Sequence, residues 1–263
     1  MRAYGQRTLT SDPNSQPKVN FFNSSRNYLR PVENFFQSIG FRVNSNFHSR
    51  YVWNGLAYSR GPVWQPSAQV EYRGFGASVT GNFVLNDEPN QGQFNEVDFT
   101  GYYGTKIKNL EIDFAVTYSI YPNDNPASLN FSQDEVSGNL HLAYPLGPID
   151  LFTDLNFFLY QPTGGFFWDF GIGYQKKLPL NFALSVSGLF GMANAQYNRE
   201  FIDVSLGTGP NVFTFSLAFP VSPVKGLILT PQFNVSTMLS GDIRAAVPYP
   251  NNIWGDLAIS YNF

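Results

Sequence analysis

The stretch FRVNSNFHSRYVW, residues 41–53, decides the fold. Its odd positions are apolar or small, while the even positions up to residue 50 carry Arg, Asn or His. Because successive side chains of a strand point to opposite faces, this alternation predicts a β-strand with one apolar and one polar face.

The same alternation returns along the rest of the chain, in segments close to the ~9–11 residues that a tilted strand needs to cross a bilayer. The further segments are 64–73, 75–86, 95–103, 110–121, 135–144, 149–160, 166–175, 182–192, 211–219, 227–239 and 253–263. The pattern predicts an all-β chain, folded as a transmembrane antiparallel up-and-down β-barrel of twelve strands. Fourteen strands are the alternative, with Val19–Phe22 as another strand.

The composition agrees with a barrel that has an apolar outer surface and a polar interior. Charged residues make up 13% of the 263 residues and aromatic residues 17%, with a mean hydropathy of −0.19. Soluble domains carry about 25% charged residues. The apolar face of the predicted strands contains no Asp, Glu, Lys or Arg. Lipid explains this absence, because Arg or Lys facing the middle of a bilayer costs ~2–4 kcal/mol.

Several classes of protein are disfavoured. The sequence has no cysteine, so it forms no disulfide and no thiolate metal site, and its net charge of −3 gives no reason to expect nucleic acid as a partner. No apolar run is long enough for a transmembrane helix. The polar start lacks the apolar core of a signal peptide, and we expect that signal to be absent from the sequence as given.

The links between the predicted strands alternate in length, as expected for short periplasmic turns and long external loops. Gln161–Gly165 is a short link on the long-loop side and an exception. The alternation in 201–206 is interpreted as the extended top of a strand interrupted by a bulge. Aromatic residues are predicted to form two girdles at the membrane interfaces, with Tyr51 and Trp53 in the outer one.

Residues 1–37 are polar and lack a period of two, which predicts a periplasmic or lumen-inserted extension, or a disordered tail. The barrel domain is predicted to span 38–263.

The last predicted strand ends on a terminal aromatic residue. Its alternate positions are Gly255, Leu257, Ile259, Tyr261 and Phe263. The pattern resembles the C-terminal signal by which the barrel-assembly machinery recognises outer-membrane proteins. It therefore predicts that machinery as a partner, together with outer-membrane lipid.

Three stretches resemble the TorF-like porin family of small outer-membrane barrels. They are SNFHSRYVWNGL at 45–56, SRGPVWQPS at 59–67 and NEVDFT at 95–100, and the resemblance covers approximately 41–121. It implies a porin-like role in the bacterial outer membrane and supplies no catalytic residue.

Charged and histidine side chains on the polar face are the candidate pore lining. They are Arg42, His48, Arg50, Glu71, Arg73, Glu96, Asp98, Glu111, Asp113, Glu135, His141, Asp150, Asp154, Asp169 and Asp256. Acids outnumber arginines, which predicts a negative potential and a preference for cations. The alternative is that the acids pair with Arg or bond to Tyr and Asn, which would only stiffen the wall.

Enzymatic activity is not expected, because both histidines have lumen parity and no His lies on the lipid face, where outer-membrane lipases place one. No metal-ligand spacing, phosphate loop or cofactor motif is present. Two functions remain open. One is a passive channel for small hydrophilic solutes or ions. The other is a structural barrel that serves as an anchor, a homo-oligomer or a subunit of a larger membrane assembly.

Overall fold

The fold is a closed antiparallel barrel of twelve long strands, seen in a computed structural model that describes residues 39–87, 90–122 and 134–263. The strands are β1 Ile39–His48, β2 Val63–Tyr72, β3 Phe75–Val84, β4 Phe94–Ile107, β5 Leu110–Ile120, β6 Glu135–Leu146, β7 Ile149–Tyr160, β8 Phe166–Lys177, β9 Ala183–Ala193, β10 Gly209–Ala218, β11 Leu227–Met238 and β12 Asn251–Asn262. Each pairs with its neighbours in sequence, and β12 pairs with β1 to close the barrel. The twelve-strand prediction is confirmed; Val19–Phe22 lies outside the described residues.

The two faces of each strand differ as the alternation predicts. In β8, Trp168, Phe170 and Ile172 are exposed on the outside, whereas Phe167 and Asp169, at alternate positions, are buried. The same contrast runs around the barrel, so a band of apolar side chains covers the outer surface. Such a band is what a transmembrane barrel presents to lipid.

The two ends of the barrel differ in the length of their connections. At one end the strands are joined by tight turns, as at Arg73-Gly74, where both residues have positive φ (51° and 84°). This conformation matches the twist of a two-residue hairpin. Both ends of the described barrel, Ile39 and Phe263, lie at this short-turn end. A short strand there, Val221–Val224, pairs with the start of β11.

The first connection at the long-loop end folds inward, contrary to the prediction that 41–53 is one strand. β1 ends at His48, and the chain bends before a small hairpin formed by Val52–Trp53 and Leu56–Ala57. We call residues 51–58 the mouth hairpin. Its turn contains Gly55 at a φ of 79°, and a Cβ there would lie 2.5 Å from Val212 Cγ2. Glycine therefore permits the close approach of the hairpin to β10.

Two short helices lie in the other connections at this end, α1 Ala195–Ile202 and α2 Gly241–Ala246. The prediction of an extended strand top across 201–206 is wrong, because residues 201 and 202 belong to α1 and residues 203–206 belong to no strand. The side chain of Asn194 accepts a bond from the backbone N–H of Tyr197 at 2.9 Å, which caps the helix. Tyr197 and Phe201 then lie one turn apart on its buried face. Among the described residues, no helix is long and apolar enough to span a membrane.

Candidate functional site: the inner wall of the barrel

Four chemically active side chains form one row across neighbouring strands. Asp113 on β5 is directly opposite His141 on β6, His141 is opposite Asp154 on β7, and Asp154 is opposite Asp169 on β8. We call these four residues the acid row. His141 Nδ1 and Asp154 Oδ1 are 3.0 Å apart, and three of the four residues are buried. The row concentrates negative charge on one side of the lumen.

A second His–Asp pair lies on the opposite side of the barrel. His48 on β1 is opposite Asp256 on β12, and His48 Nδ1 lies 2.7 Å from Asp256 Oδ1. Asn234 donates to the other oxygen of Asp256 at 2.6 Å. Both carboxylate oxygens of Asp256 therefore have a partner. This agrees with the alternative interpretation, in which acids of the inner wall bond to neighbouring side chains and stiffen the wall.

Three further acids lie near the long-loop end, next to the mouth hairpin. Burial, and then the carboxylates of Glu96 and Asp98, raise the pKa of Tyr51, whose hydroxyl bonds to Glu96. Burial also raises the pKa of Tyr58, and the nearby Glu135 adds to the effect. The tyrosine hydroxyls thus stay protonated and can donate hydrogen bonds toward carboxylates. This contact ties one side of the mouth hairpin to the acidic wall.

Charged side chains toward the short-turn end also have polar partners. Arg42 Nε donates to Asn262 Oδ1 at 2.6 Å, and Arg42 is buried. The hydroxyl of Tyr102 lies 3.4 Å from Glu71 Oε2. Lys106 and Glu111 form a partly exposed ion pair at 2.9 Å. Asp150, at the start of β7, has inward parity and is half-buried.

Two of the predicted arginines do not lie on the wall of a strand. Arg50 lies beyond β1, where it donates to Asn252 Oδ1 at 3.1 Å and covers the ring of Tyr249. Arg73 lies in the tight turn after β2, with its guanidinium 5.2 Å from the ring centre of Tyr72. The prediction of Arg73 as a lining residue is wrong, because a two-residue turn must occupy the position at which the strand would continue.

An apolar cluster at the long-loop end was not predicted from the sequence. It joins the barrel wall to the mouth hairpin and both helices, and its buried members are Phe158, Phe167, Ala193, Tyr197, Phe201, Ile202, Val212, Met238 and Ile243. Trp53 of the mouth hairpin packs against this cluster, and Asn54 Nδ2 donates to the Tyr197 hydroxyl at 3.1 Å. We call it the mouth cluster. The hairpin is therefore fixed on both sides of the lumen and narrows the passage.

Two aromatic rings lie flat on the inner wall over glycines of neighbouring strands. A Cβ on Gly76 would be 2.0 Å from Cζ of Tyr102, and a Cβ on Gly171 would be 1.6 Å from Cζ of Phe152. No side chain larger than hydrogen fits beneath either ring. The glycines therefore allow large aromatic side chains on the inner face to lie along the wall.

The predicted assembly signal lies on the outer face of β12. Leu257, Tyr261 and Phe263 are exposed there, and Gly255 and Ile259 are half-buried. The backbone N–H of Phe263 donates to the carbonyl of Phe41 at 3.0 Å, so the end of the chain pairs with the first strand.

Across the described residues, no group of three or more His, Cys, Asp or Glu side chains is arranged to hold a metal ion. The acids are instead spread along the wall.

Comparison with known proteins defines the class of fold. An outer membrane channel from Pseudomonas putida F1 aligns with a TM-score of 0.55 at 12% identity, over 89% of this chain and 97% of that channel. A KdgM porin aligns with a TM-score of 0.50 at 11% identity, over 84% of this chain and 99% of that porin. The chain thus has the fold of a small outer-membrane barrel of the porin type.

The particular family within this class stays a prediction. The sequence matches no protein-family model and no curated protein. The resemblance to the TorF-like porins therefore rests on the three stretches quoted above.

Proposed function

We propose that the protein is a porin-like channel of the bacterial outer membrane, through which small hydrophilic solutes or ions diffuse passively, with a preference for cations. The fold supports this proposal, since its strands enclose a polar interior within an apolar outer surface. The observation that carries the cation preference is the acid row, Asp113–His141–Asp154–Asp169.

The balance of charge on the inner wall favours the same preference. Carboxylates with inward parity occur on seven of the strands, including β5, β7 and β8. Against them, the inner faces of the described strands place Arg42 in β1, with Lys106 and Lys177 at the short-turn end. Fixed carboxylates in a narrow passage raise the local cation concentration and repel anions.

The mouth cluster supports a second candidate function, a barrel without open-pore activity that acts as an anchor or as a subunit of a membrane assembly. The mouth hairpin reaches from β1 to the opposite wall, and Tyr197 and Phe167 in the cluster are fully buried. Apolar side chains at this density exclude water as well as solutes. A barrel that remains closed at this point would conduct no ions.

Current through single molecules in planar bilayers separates the two functions. A channel gives discrete current steps, and its reversal potential in a KCl gradient favours K⁺ over Cl⁻. The preference should fade as salt rises, because the Debye length falls from ~30 Å at 0.01 M to ~3 Å at 1 M. Absence of current from correctly folded barrels contradicts the channel and favours the structural role. Current that prefers anions contradicts the role given to the acid row.

No catalytic role is proposed for any residue of the inner wall. We also infer that outer-membrane lipid and the barrel-assembly machinery are partners, the latter through β12.

A further inference from the structure

One acceptor atom of His48 on β1 and one of Gln65 on β2 are buried without a hydrogen-bond partner among the described residues. They are Nε2 of His48 and Oε1 of Gln65. The two residues are neighbours on the inner face, because His48 is opposite Val63, two positions from Gln65. Their exposures are 3% and 2%. A buried polar atom without a partner costs ~1–3 kcal/mol, so two in one place require an explanation.

With the His48 ring neutral, the partners of the remaining atoms leave both groups as acceptors. His48 Nδ1 lies 2.7 Å from a carboxylate oxygen of Asp256, which can only accept when ionised, so Nδ1 carries the proton. In the neutral ring, Nε2 then has a free lone pair. The amide nitrogen of Gln65 donates to Asn82 Oδ1 at 2.9 Å, which leaves Oε1 as the acceptor. Both unpartnered atoms therefore need a donor.

Two carboxylates lie on strands close to the two acceptors. Asp256 lies directly behind His48, and Glu96 is opposite Asn82 on the next strand. A ligand that combines N–H donors with positive charge satisfies the acceptors and is attracted by these carboxylates. A primary ammonium group has three donors and no acceptor. A sugar hydroxyl can donate, but it gains nothing from the charge.

We propose that His48 and Gln65 form a binding subsite for a primary ammonium group of a permeating solute. This inference rests on the proposed function, because the subsite lies on the wall of the proposed passage. It lies where β1 ends and the mouth hairpin begins. A solute that enters past the mouth hairpin would therefore reach this subsite early in its passage.

Three small probes of similar size separate the effect of N–H hydrogen-bond donors from the effect of positive charge. Protonated ethanolamine carries an ammonium group, ethylene glycol replaces it by a hydroxyl, and tetramethylammonium carries charge without an N–H donor. We expect ethanolamine to reduce the Na⁺ current of single channels in a saturable way at neutral pH. Ethylene glycol and tetramethylammonium should have much weaker effects.

Two variants test the named atoms. His48→Asn keeps a donor toward Asp256 and removes Nε2, and Gln65→Met removes the amide oxygen at similar length. Each should weaken the block by ethanolamine about tenfold, the effect of losing one hydrogen bond to a charged group. Ser187→Ala is the control, because Ser187 is buried on the inner face of β9, away from the subsite. Equal block in the variants and the wild type would overturn the subsite.

A binding measurement separates this inference from the proposed function. Ethanolamine binding to the barrel in detergent is followed by calorimetry, in the wild type and in His48→Asn. Binding that depends on His48 without any current supports the subsite and contradicts the channel. Current without such binding or block supports the channel and contradicts the subsite. Block of equal strength by ethylene glycol would contradict a subsite for ammonium groups, because ethylene glycol carries hydroxyl groups and no charge.

Discussion

The indole of Trp53 packs edge-on against the ring of Phe158, with the ring centres 6.1 Å apart. Trp53 belongs to the connection between β1 and β2, whereas Phe158 lies on β7. In a closed ring of twelve strands, β1 and β7 are opposite each other. The contact therefore shows that the mouth hairpin crosses the lumen.

Removal of this crossing should widen the passage. Replacement of residues 51–58 by a short Gly-Ser linker is expected to raise single-channel conductance severalfold, and Trp53→Ala should raise it less. Conductance in planar bilayers measures the change. Trp168→Ala, on the outer face, is the control and should leave conductance unaltered. Unchanged conductance after the deletion would place the narrowest point elsewhere.

Neutralisation of the acid row should reduce cation preference. In Asp113→Asn/Asp154→Asn, two carboxylates are lost from the row while the side-chain sizes are kept. We expect the reversal potential in a KCl gradient to move toward zero, most clearly at low salt, because long Debye lengths let fixed charges act across the passage. Asp87→Asn, in a connection outside the strands, should have a smaller effect. An unaltered reversal potential in the double variant would contradict the assignment.

Glycines beneath the flat aromatic rings should not tolerate a methyl group. Gly76→Ala would force the Tyr102 ring off the wall, since the new Cβ would be 2.0 Å from Cζ. Overpacking of this kind costs ~1–3 kcal/mol, so we expect unfolding in urea at lower concentration. Gly101→Ala is the matched control, with no atom within 4 Å of its new Cβ. Equal stability of the two variants would mean that the ring moves without cost.

Adjacent residues of one strand should differ in the solvent that they contact. The chain has no cysteine, so single cysteines can be introduced without background labelling. Val186→Cys on the outer face of β9 should react with a lipid-soluble maleimide. Ser187→Cys on the inner face should react only with small water-soluble reagents that enter the barrel. Labelling that ignores this parity would contradict the transmembrane orientation.

The terminal residue should matter more for assembly than for stability. Phe263 is 78% exposed, and a substitution at the membrane interface costs only ~0–1 kcal/mol. We nevertheless expect Phe263→Asp to reduce the amount of assembled barrel in cells strongly, through poorer recognition by the assembly machinery. Heat-modifiable mobility on gels measures the assembled fraction, and refolding into detergent is the control. Normal assembly in cells would contradict the signal.

The strands could be predicted because period-two alternation is a local property and lipid keeps the outer face free of charge. Trp53 is a residue whose position the alternation does not predict. It continues the alternation of β1, yet it turns inward because Phe158 and Phe201, far away in sequence, offer an apolar surface. The same cluster makes residues 201 and 202 helical despite their alternating pattern.

The acid row could be predicted only in part. The inward parity of Asp113, His141, Asp154 and Asp169 follows from the sequence. Their adjacency depends on the register of β5 to β8, which is set by the lengths of the turns and by cross-strand packing. A shift of two residues in one hairpin would keep every side chain on the same face and would still separate His141 from Asp154.

The acid row also has a direction. Asp113 lies three residues from the short-turn end of β5, whereas Asp169 lies three residues from the long-loop end of β8. With strands ~4.8 Å apart and tilted by ~40°, a line across three strand gaps climbs about 9 Å along the barrel axis. A cation that moves from one carboxylate to the next would therefore follow a helical path and also advance along the barrel axis. Several weak binding sites at different heights release an ion more easily than one strongly binding ring of carboxylates would.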